Sequence, residues 1–64
     1  MTKFEMIIDE ETEGSLEFLE NVKNISTSCE RVKPGEYNVT APTIDMFKLV
    51  EANTDTVVSI YPVF

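Results

Sequence analysis

The chain has 64 residues, 42% of them apolar, and its twelve acidic and five basic side chains give a formal net charge of −7. Only two Gly and three Pro argue against a disordered segment, so the composition predicts one small domain spanning residues 1–64. The excess of acids argues against direct binding to nucleic acid, and no apolar run approaches the roughly 18 residues of a membrane span.

Cysteine usage and the N-terminal segment bear on the cellular compartment. Cys29 is the only cysteine, which excludes an intramolecular disulfide and a disulfide-stabilised secreted scaffold. The segment MTKFEMIID has one Lys followed by acids and lacks the apolar stretch of a signal peptide. We therefore expect a cytoplasmic protein that does not associate with membranes.

The first segment alternates in polarity. Phe4, Met6 and Ile8 fall on one side of an extended chain, which predicts a half-buried strand over residues 3–8. Asp9 to Gly14 is polar and breaks this pattern.

From Ser15 the apolar residues recur every three or four positions, which predicts a helix. Ser15 is a candidate N-cap, and the run after Ile25 favours a helix end near that residue. The apolar stripe comprises Phe18, Val22, Ile25 and Cys29, with Leu16 and Leu19 beside them.

Pro34-Gly35 has the type II turn pattern, with short strands predicted on either side of it, over residues 29–33 and 36–40. A second helix follows, with Pro42 in its first turn, Thr40 or Thr43 as its cap and a stop at Asn53. Its predicted apolar stripe is Ile44, Phe47 and Val50, widened by Met46 and Leu49.

The last segment, residues 56–64, is rich in β-branched and aromatic residues and is predicted to be a strand. Pro62 cannot donate a hydrogen bond to a neighbouring strand, which favours a sheet edge. A regular strand has Val57, Tyr61 and Val63 on one face, and Val58, Ile60 and Phe64 on the other. Because both faces are apolar, we expect Tyr61 and Val63 to form a self-association surface, with a homodimer as one outcome.

The order β-α-β-β-α-β predicts an α+β, ferredoxin-like split βαβ fold, in which two helices cover one face of an antiparallel sheet. In the alternative, the two middle strands are loop and the first and last strands pair. The absence of His and the lone Cys remove the usual acid–base, nucleophilic and zinc chemistry. We therefore expect no enzymatic activity, no catalytic residue and no cofactor.

All of the net charge lies between Glu5 and Glu20, a window with seven carboxylates and no Lys or Arg. The simplest interpretation is a solvated surface that keeps the protein soluble. A second is a binding surface for a protein with a basic face, which the carboxylates engage in place of phosphates. Small acidic phage and mobile-element proteins that inhibit host enzymes resemble the chain in this general character. The predicted partner-binding residues, here called the acidic strip, are Asp9, Glu10, Glu11, Glu13, Glu17 and Glu20, with Glu13, Glu17 and Glu20 expected on one helix face.

A third interpretation is a calcium site. Residues 9–20 resemble the twelve-residue loop of an EF-hand, with Gly14 at the sixth place and Glu20 at the twelfth. The segment departs from that pattern at Glu11 and Glu13, where Asp or Asn is expected, and a strand-like segment precedes it. The leading hypothesis is therefore a non-catalytic protein-binding module, an inhibitor or modulator of a nucleic-acid-handling protein, and the alternative is a calcium-binding protein.

Overall fold

The computed structural model describes residues 1–63, and Phe64, predicted on one face of the last strand, lies outside them. The elements, in chain order, are β1 (Thr2–Ile8), α1 (Ser15–Ile25), β2 (Ser28–Lys33), β3 (Glu36–Ala41), α2 (Thr43–Ala52) and β4 (Val57–Val63). The predicted α+β, ferredoxin-like arrangement is confirmed. The alternative in which the two middle strands are loop is wrong.

The four strands form one antiparallel sheet in the order β2-β3-β1-β4. β1 pairs with β3 on one side and with β4 on the other, and β2 pairs with β3. Each helix therefore connects two parallel strands and passes over the strand between them. β4 lies at an edge of the sheet, as the missing N–H of Pro62 predicts.

The hydrophobic core lies between the helices and one face of the sheet. Phe4, Met6 and Ile8 are buried there, which confirms the alternation predicted for β1. Each large side chain buried in this way stabilises the fold by about 1.5–3 kcal/mol. The largest fully buried side chains are Phe4, Met6, Phe18, Val22, Val39 and Met46. The opposite face of the sheet carries no helix.

α1 has the predicted bounds, but three details of its prediction are wrong. Its N-cap position is Gly14, with a φ of 90°, and the Ser15 hydroxyl donates to the Glu10 carbonyl oxygen at 2.9 Å instead of capping the helix. Leu16 is 79% exposed. At 100° per residue it lies roughly 120° around the helix from the buried Val22, outside the apolar stripe. Cys29, predicted on that stripe, lies on β2 and packs against the core half-buried.

Only part of the apolar stripe predicted for α2, the widening residues Met46 and Leu49, meets the core. Met46 is fully buried and Leu49 packs beside it, whereas Ile44 and Phe47 are 68% and 52% exposed. Ile44 and Phe47 lie roughly 160° and 100° around the helix from Met46, so they cannot share its contacts. A hydrogen bond between the hydroxyls of Thr2 and Thr43 ties the start of this helix to β1.

The predicted C-terminal end of α2 is confirmed, and the prediction for its N-terminal end is wrong. Pro42 occupies the N-cap position, so it precedes the first turn, and neither Thr40 nor Thr43 supplies a side-chain cap. Asn53 is the C-cap, as predicted, and its side-chain amide donates to the Leu49 carbonyl oxygen at 2.8 Å.

The β2–β3 turn contains Pro34 and Gly35, as predicted. Gly35 has a φ of 81°, a conformation that favours glycine, and its carbonyl oxygen accepts a hydrogen bond from the Ile8 N–H at 2.8 Å. A Cβ atom on Gly35 would lie 2.9 Å from the Ile8 carbonyl oxygen. The turn therefore needs glycine for its backbone conformation and for its close approach to β1.

β4 is not regular at its start. Its pairing with β1 shifts between Ile7 and Ile8, which face Ser59 and Val57, so Val58 is an extra residue in the strand. Val57 packs against the core and Val58 is exposed, which reverses the faces predicted for these two residues. Beyond this bulge Tyr61 faces away from the helices, as predicted, because it pairs with Glu5. Neither helix among the described residues is long and apolar enough to cross a membrane.

Candidate functional site: the acidic strip

The acidic strip runs from the loop after β1 into α1. The loop leaves β1 with the Asp9 N–H donating to the Thr56 carbonyl oxygen at 2.8 Å. The Asp9 carboxylate then accepts the Glu11 N–H at 3.0 Å, and the Thr12 N–H donates back to the Asp9 carbonyl at 3.2 Å. These local hydrogen bonds hold the backbone of the loop, so its carboxylates project from a defined surface.

Glu10 is held by side chains of the same chain. Arg31, on β2, donates to its carboxylate through Nε at 3.0 Å and Nη2 at 2.8 Å, which is a bidentate ion pair. The buried Tyr37, on β3, donates its hydroxyl to the same carboxylate. Glu10 was predicted as a partner-binding residue, and its carboxylate is instead occupied by contacts within the chain.

These contacts shift the pKa values of the Glu10 carboxyl and of the Tyr37 phenol. Hydrogen bonds from Arg31 and then Tyr37 lower the pKa of Glu10 from 4.5 to about 2. Burial, followed by the Glu10 carboxylate, raises the pKa of the Tyr37 phenol. Both shifts favour the arrangement at neutral pH, in which a charged carboxylate accepts from a neutral phenol.

Sequence reasoning missed Arg31 and Tyr37 as contacts of the acidic strip. Arg31 is the only arginine in the chain, and the two residues pair across β2 and β3, so their side chains share the helix-side face of the sheet. That pairing follows from the predicted hairpin. The approach of Glu10 to it depends on the path of a loop 21 residues earlier in the chain, which no local pattern specifies.

The other five acids of the strip are exposed. Glu17 and Glu20 lie on α1, and no described residue forms an ion pair with any of the five. Three of them belong to the loop before the helix: Asp9, Glu11 and Glu13. Glu13 therefore does not share a helix face with Glu17 and Glu20, because the backbone turns at Gly14 between them. Lys23, in the last turn of α1, is the nearest base along the helix.

The geometry of residues 9–20 does not fit a calcium loop. α1 begins at Ser15, the seventh place of the EF-hand pattern, and this puts Leu16 and Glu17 on the helix where the loop should still wrap the ion. Among residues 1–63, no three acidic or cysteine side chains are grouped so that they could hold a metal ion. The Glu10 carboxylate is already held by Arg31. The calcium alternative therefore has no set of converging ligands.

A second surface lies on the face of the sheet that carries no helix. The strand register sets Glu5 between Asn38 and Tyr61, and Lys3 between Thr40 and Val63. Tyr61 and Val63, the predicted self-association residues, are 48% and 38% exposed on this face.

No family model, curated protein or solved structure matches this chain.

Proposed function

We propose that this protein is a non-catalytic binding module that engages a basic surface of another protein through the five exposed carboxylates of the acidic strip. The observation that carries the proposal is that these carboxylates lie along one loop and the helix that follows it, with no ion pair among the described residues. Like charges held close together on a folded surface repel one another, and a basic partner relieves that repulsion.

In this proposal Glu10 positions the loop, whereas the five exposed acids contact the partner. Its carboxylate, clamped by Arg31 and Tyr37, fixes the start of the loop to the sheet. Its neighbours on either side, Asp9 and Glu11, are thereby held outward. Preorganisation of this kind lowers the conformational entropy lost on binding. We assign partner contact to the five exposed acids and positioning of the loop to Glu10.

The partner class we propose is a protein that handles nucleic acid, in the cytoplasm of the cell where the module acts. A groove that binds phosphates already presents several basic side chains, and a row of carboxylates satisfies the same electrostatic requirement. The module then acts as an inhibitor or modulator by competing with nucleic acid, in the manner of the small acidic phage proteins mentioned above.

The test compares two variants of equal net charge. E13K/E17K/E20K reverses three acids of the strip, and E30K/E51K/D55K reverses three exposed acids elsewhere. Each variant is used as affinity bait in an extract of the organism that encodes the chain. The proposal requires a protein held by the wild type and by the control variant, lost with the strip variant and displaced both by duplex DNA and by 1 M salt.

Three results would contradict the proposal. If both triple variants lose the captured protein equally, net charge alone explains binding and the acidic strip has no special part. If the strip variant retains the protein, or if the wild type captures nothing that duplex DNA displaces, the strip does not engage a phosphate-binding groove. Circular dichroism of each variant establishes that the fold is kept.

A further inference from the structure

A shallow depression of about 130 Å³ lies on the face of the sheet that carries no helix. It is bounded by side chains from all four strands, because the register sets Tyr61 on β4 beside Glu5 on β1, and Glu5 beside Asn38 on β3. The residues on its outward side are Glu5, Ile7, Val32, Glu36, Asn38 and Tyr61. None of these residues belongs to the part of the acidic strip assigned to partner contact above.

The depression combines three features that suit a cationic side chain. Ile7 and Val32 provide apolar surface for a hydrocarbon stem, and Tyr61 provides an aromatic ring for the charged head. Glu5 and Glu36 provide negative charge. Glu36 is paired with Lys33 at 3.7 Å, whereas Glu5 has no ion pair among the described residues.

The carboxylates of Glu5 and Glu36 both act on the Tyr61 phenol. Glu5, and to a smaller extent Glu36, raise the pKa of the Tyr61 phenol, so both carboxylates act at one place in the depression. Since Glu36 is paired with Lys33, Glu5 supplies the unpaired negative charge of the depression.

We propose that this depression binds the guanidinium group of an arginine side chain on a partner protein. A planar guanidinium stacks on an aromatic ring and donates hydrogen bonds to carboxylate and amide oxygens lying in its plane, which matches Tyr61, Glu5 and Asn38. The compact ammonium group of a lysine meets the same charge and lacks the planar stacking surface. The site lies across the sheet from α1 and does not depend on the function proposed for the acidic strip.

The test is an NMR titration of the full ¹⁵N-labelled chain with N-acetyl-arginine methylamide at 0.15 M salt. N-acetyl-citrulline methylamide, which has the same shape without the charge, is the matched probe. We expect weak, saturable binding of the arginine compound in the millimolar range, with the largest shifts at Glu5, Asn38 and Tyr61. Citrulline binding should be at least tenfold weaker.

Arginine binding by single-residue variants tests whether the ligand occupies the depression. Glu5→Gln and Tyr61→Ala each change an exposed side chain and should weaken arginine binding at least fivefold. Glu30→Gln removes an exposed acid from the same row of the sheet but outside the depression, and should change binding less than twofold. E13K/E17K/E20K should also retain arginine binding, so failure of the acidic-strip proposal and failure of this proposal can be told apart.

Three outcomes would overturn the inference. Equal binding of arginine and citrulline would show that charge is not recognised, and shifts confined to residues 9–20 would place the ligand on the acidic strip. Shifts at Tyr61 and Val63 that appear on concentrating the protein, without ligand, would make a second copy of the chain the occupant of this face. That last result would support the predicted self-association surface instead.

Discussion

Arg31 and Glu10 form a bidentate ion pair, with N–O distances of 2.8 and 3.0 Å, that joins an edge strand of the sheet to the start of the acidic loop. The pair neutralises the one acid of the strip that points inward, and it leaves the others exposed on both sides of the anchored residue. The single arginine of a strongly acidic chain therefore supports the loop from which three of the exposed acids project.

Because of the ion pair between Glu10 and Arg31, we expect the stability of the folded protein to decrease in acid. The pKa of Glu10 is lowered from 4.5 to about 2 in the folded protein, so folding favours the ionised carboxylate. The stabilisation is complete above the unfolded-state value and is lost as the pH falls from about 4.5 towards 2. Urea unfolding at several pH values should show wild-type stability falling through this window more steeply than that of Glu10→Gln. Parallel pH curves for the two proteins would contradict the assigned pKa.

Much of the fold could be predicted because its signals are local. Alternation in residues 3–8, the Pro34-Gly35 turn and the apolar spacing after Ser15 each specify an element within a few neighbouring residues. The role of Glu10 could not be predicted in this way. Its partner Arg31 is 21 residues away, and their contact exists only after β2 has paired in the sheet.

The β2–β3 turn gives a prediction in which the two glycines of the chain serve as controls for each other. Gly35→Ala should be the more destabilising change, because it combines a positive φ with a Cβ atom 2.9 Å from the Ile8 carbonyl oxygen. Gly14 also has a positive φ, but a Cβ atom there meets nothing within 4 Å. Gly14→Ala should therefore cost only the conformational strain of about 1–2 kcal/mol. Denaturant unfolding should show a larger loss for Gly35→Ala, and equal losses would mean that the close approach to Ile8 contributes nothing.

The core-facing side of α2 was predicted only in part, because its sequence contains two overlapping apolar stripes. Ile44, Phe47 and Val50 recur at the same spacing as Met46 and Leu49, and periodicity alone cannot say which set meets the sheet. The choice is made by tertiary contacts, among them the hydrogen bond between Thr2 and Thr43.

Substitutions of the adjacent residues Met46 and Phe47 test which face of α2 packs against the sheet. Met46→Ala should destabilise the protein by about 2–5 kcal/mol, because Met46 is fully buried and the substitution leaves a cavity. Phe47→Ala removes a larger side chain that is 52% exposed, and it should cost less than about 1 kcal/mol. Thermal melts of the two variants give the comparison. A larger loss for Phe47→Ala would restore the face predicted from the sequence.

The resemblance of residues 9–20 to a calcium loop leads to a final prediction, that calcium does not specifically raise the melting temperature. A site that binds calcium only in the folded state stabilises that state by about 2.7 kcal/mol at a hundredfold excess over its dissociation constant. For a domain of this size, such stabilisation raises the melting temperature by about 10 °C or more. Because α1 begins at the seventh place of the pattern and Arg31 holds Glu10, we expect no calcium-specific shift.

Melts with calcium, with magnesium and with chelator measure this directly. An equal, small rise with either divalent ion fits screening of the repulsion among the exposed carboxylates, because both ions carry the same charge. A large rise with calcium alone, abolished in Glu20→Gln, would mean that the loop rearranges around the ion and that Glu20 is a ligand. The acidic strip would then be a metal site, and the proposal that it replaces phosphates in a basic groove would fail.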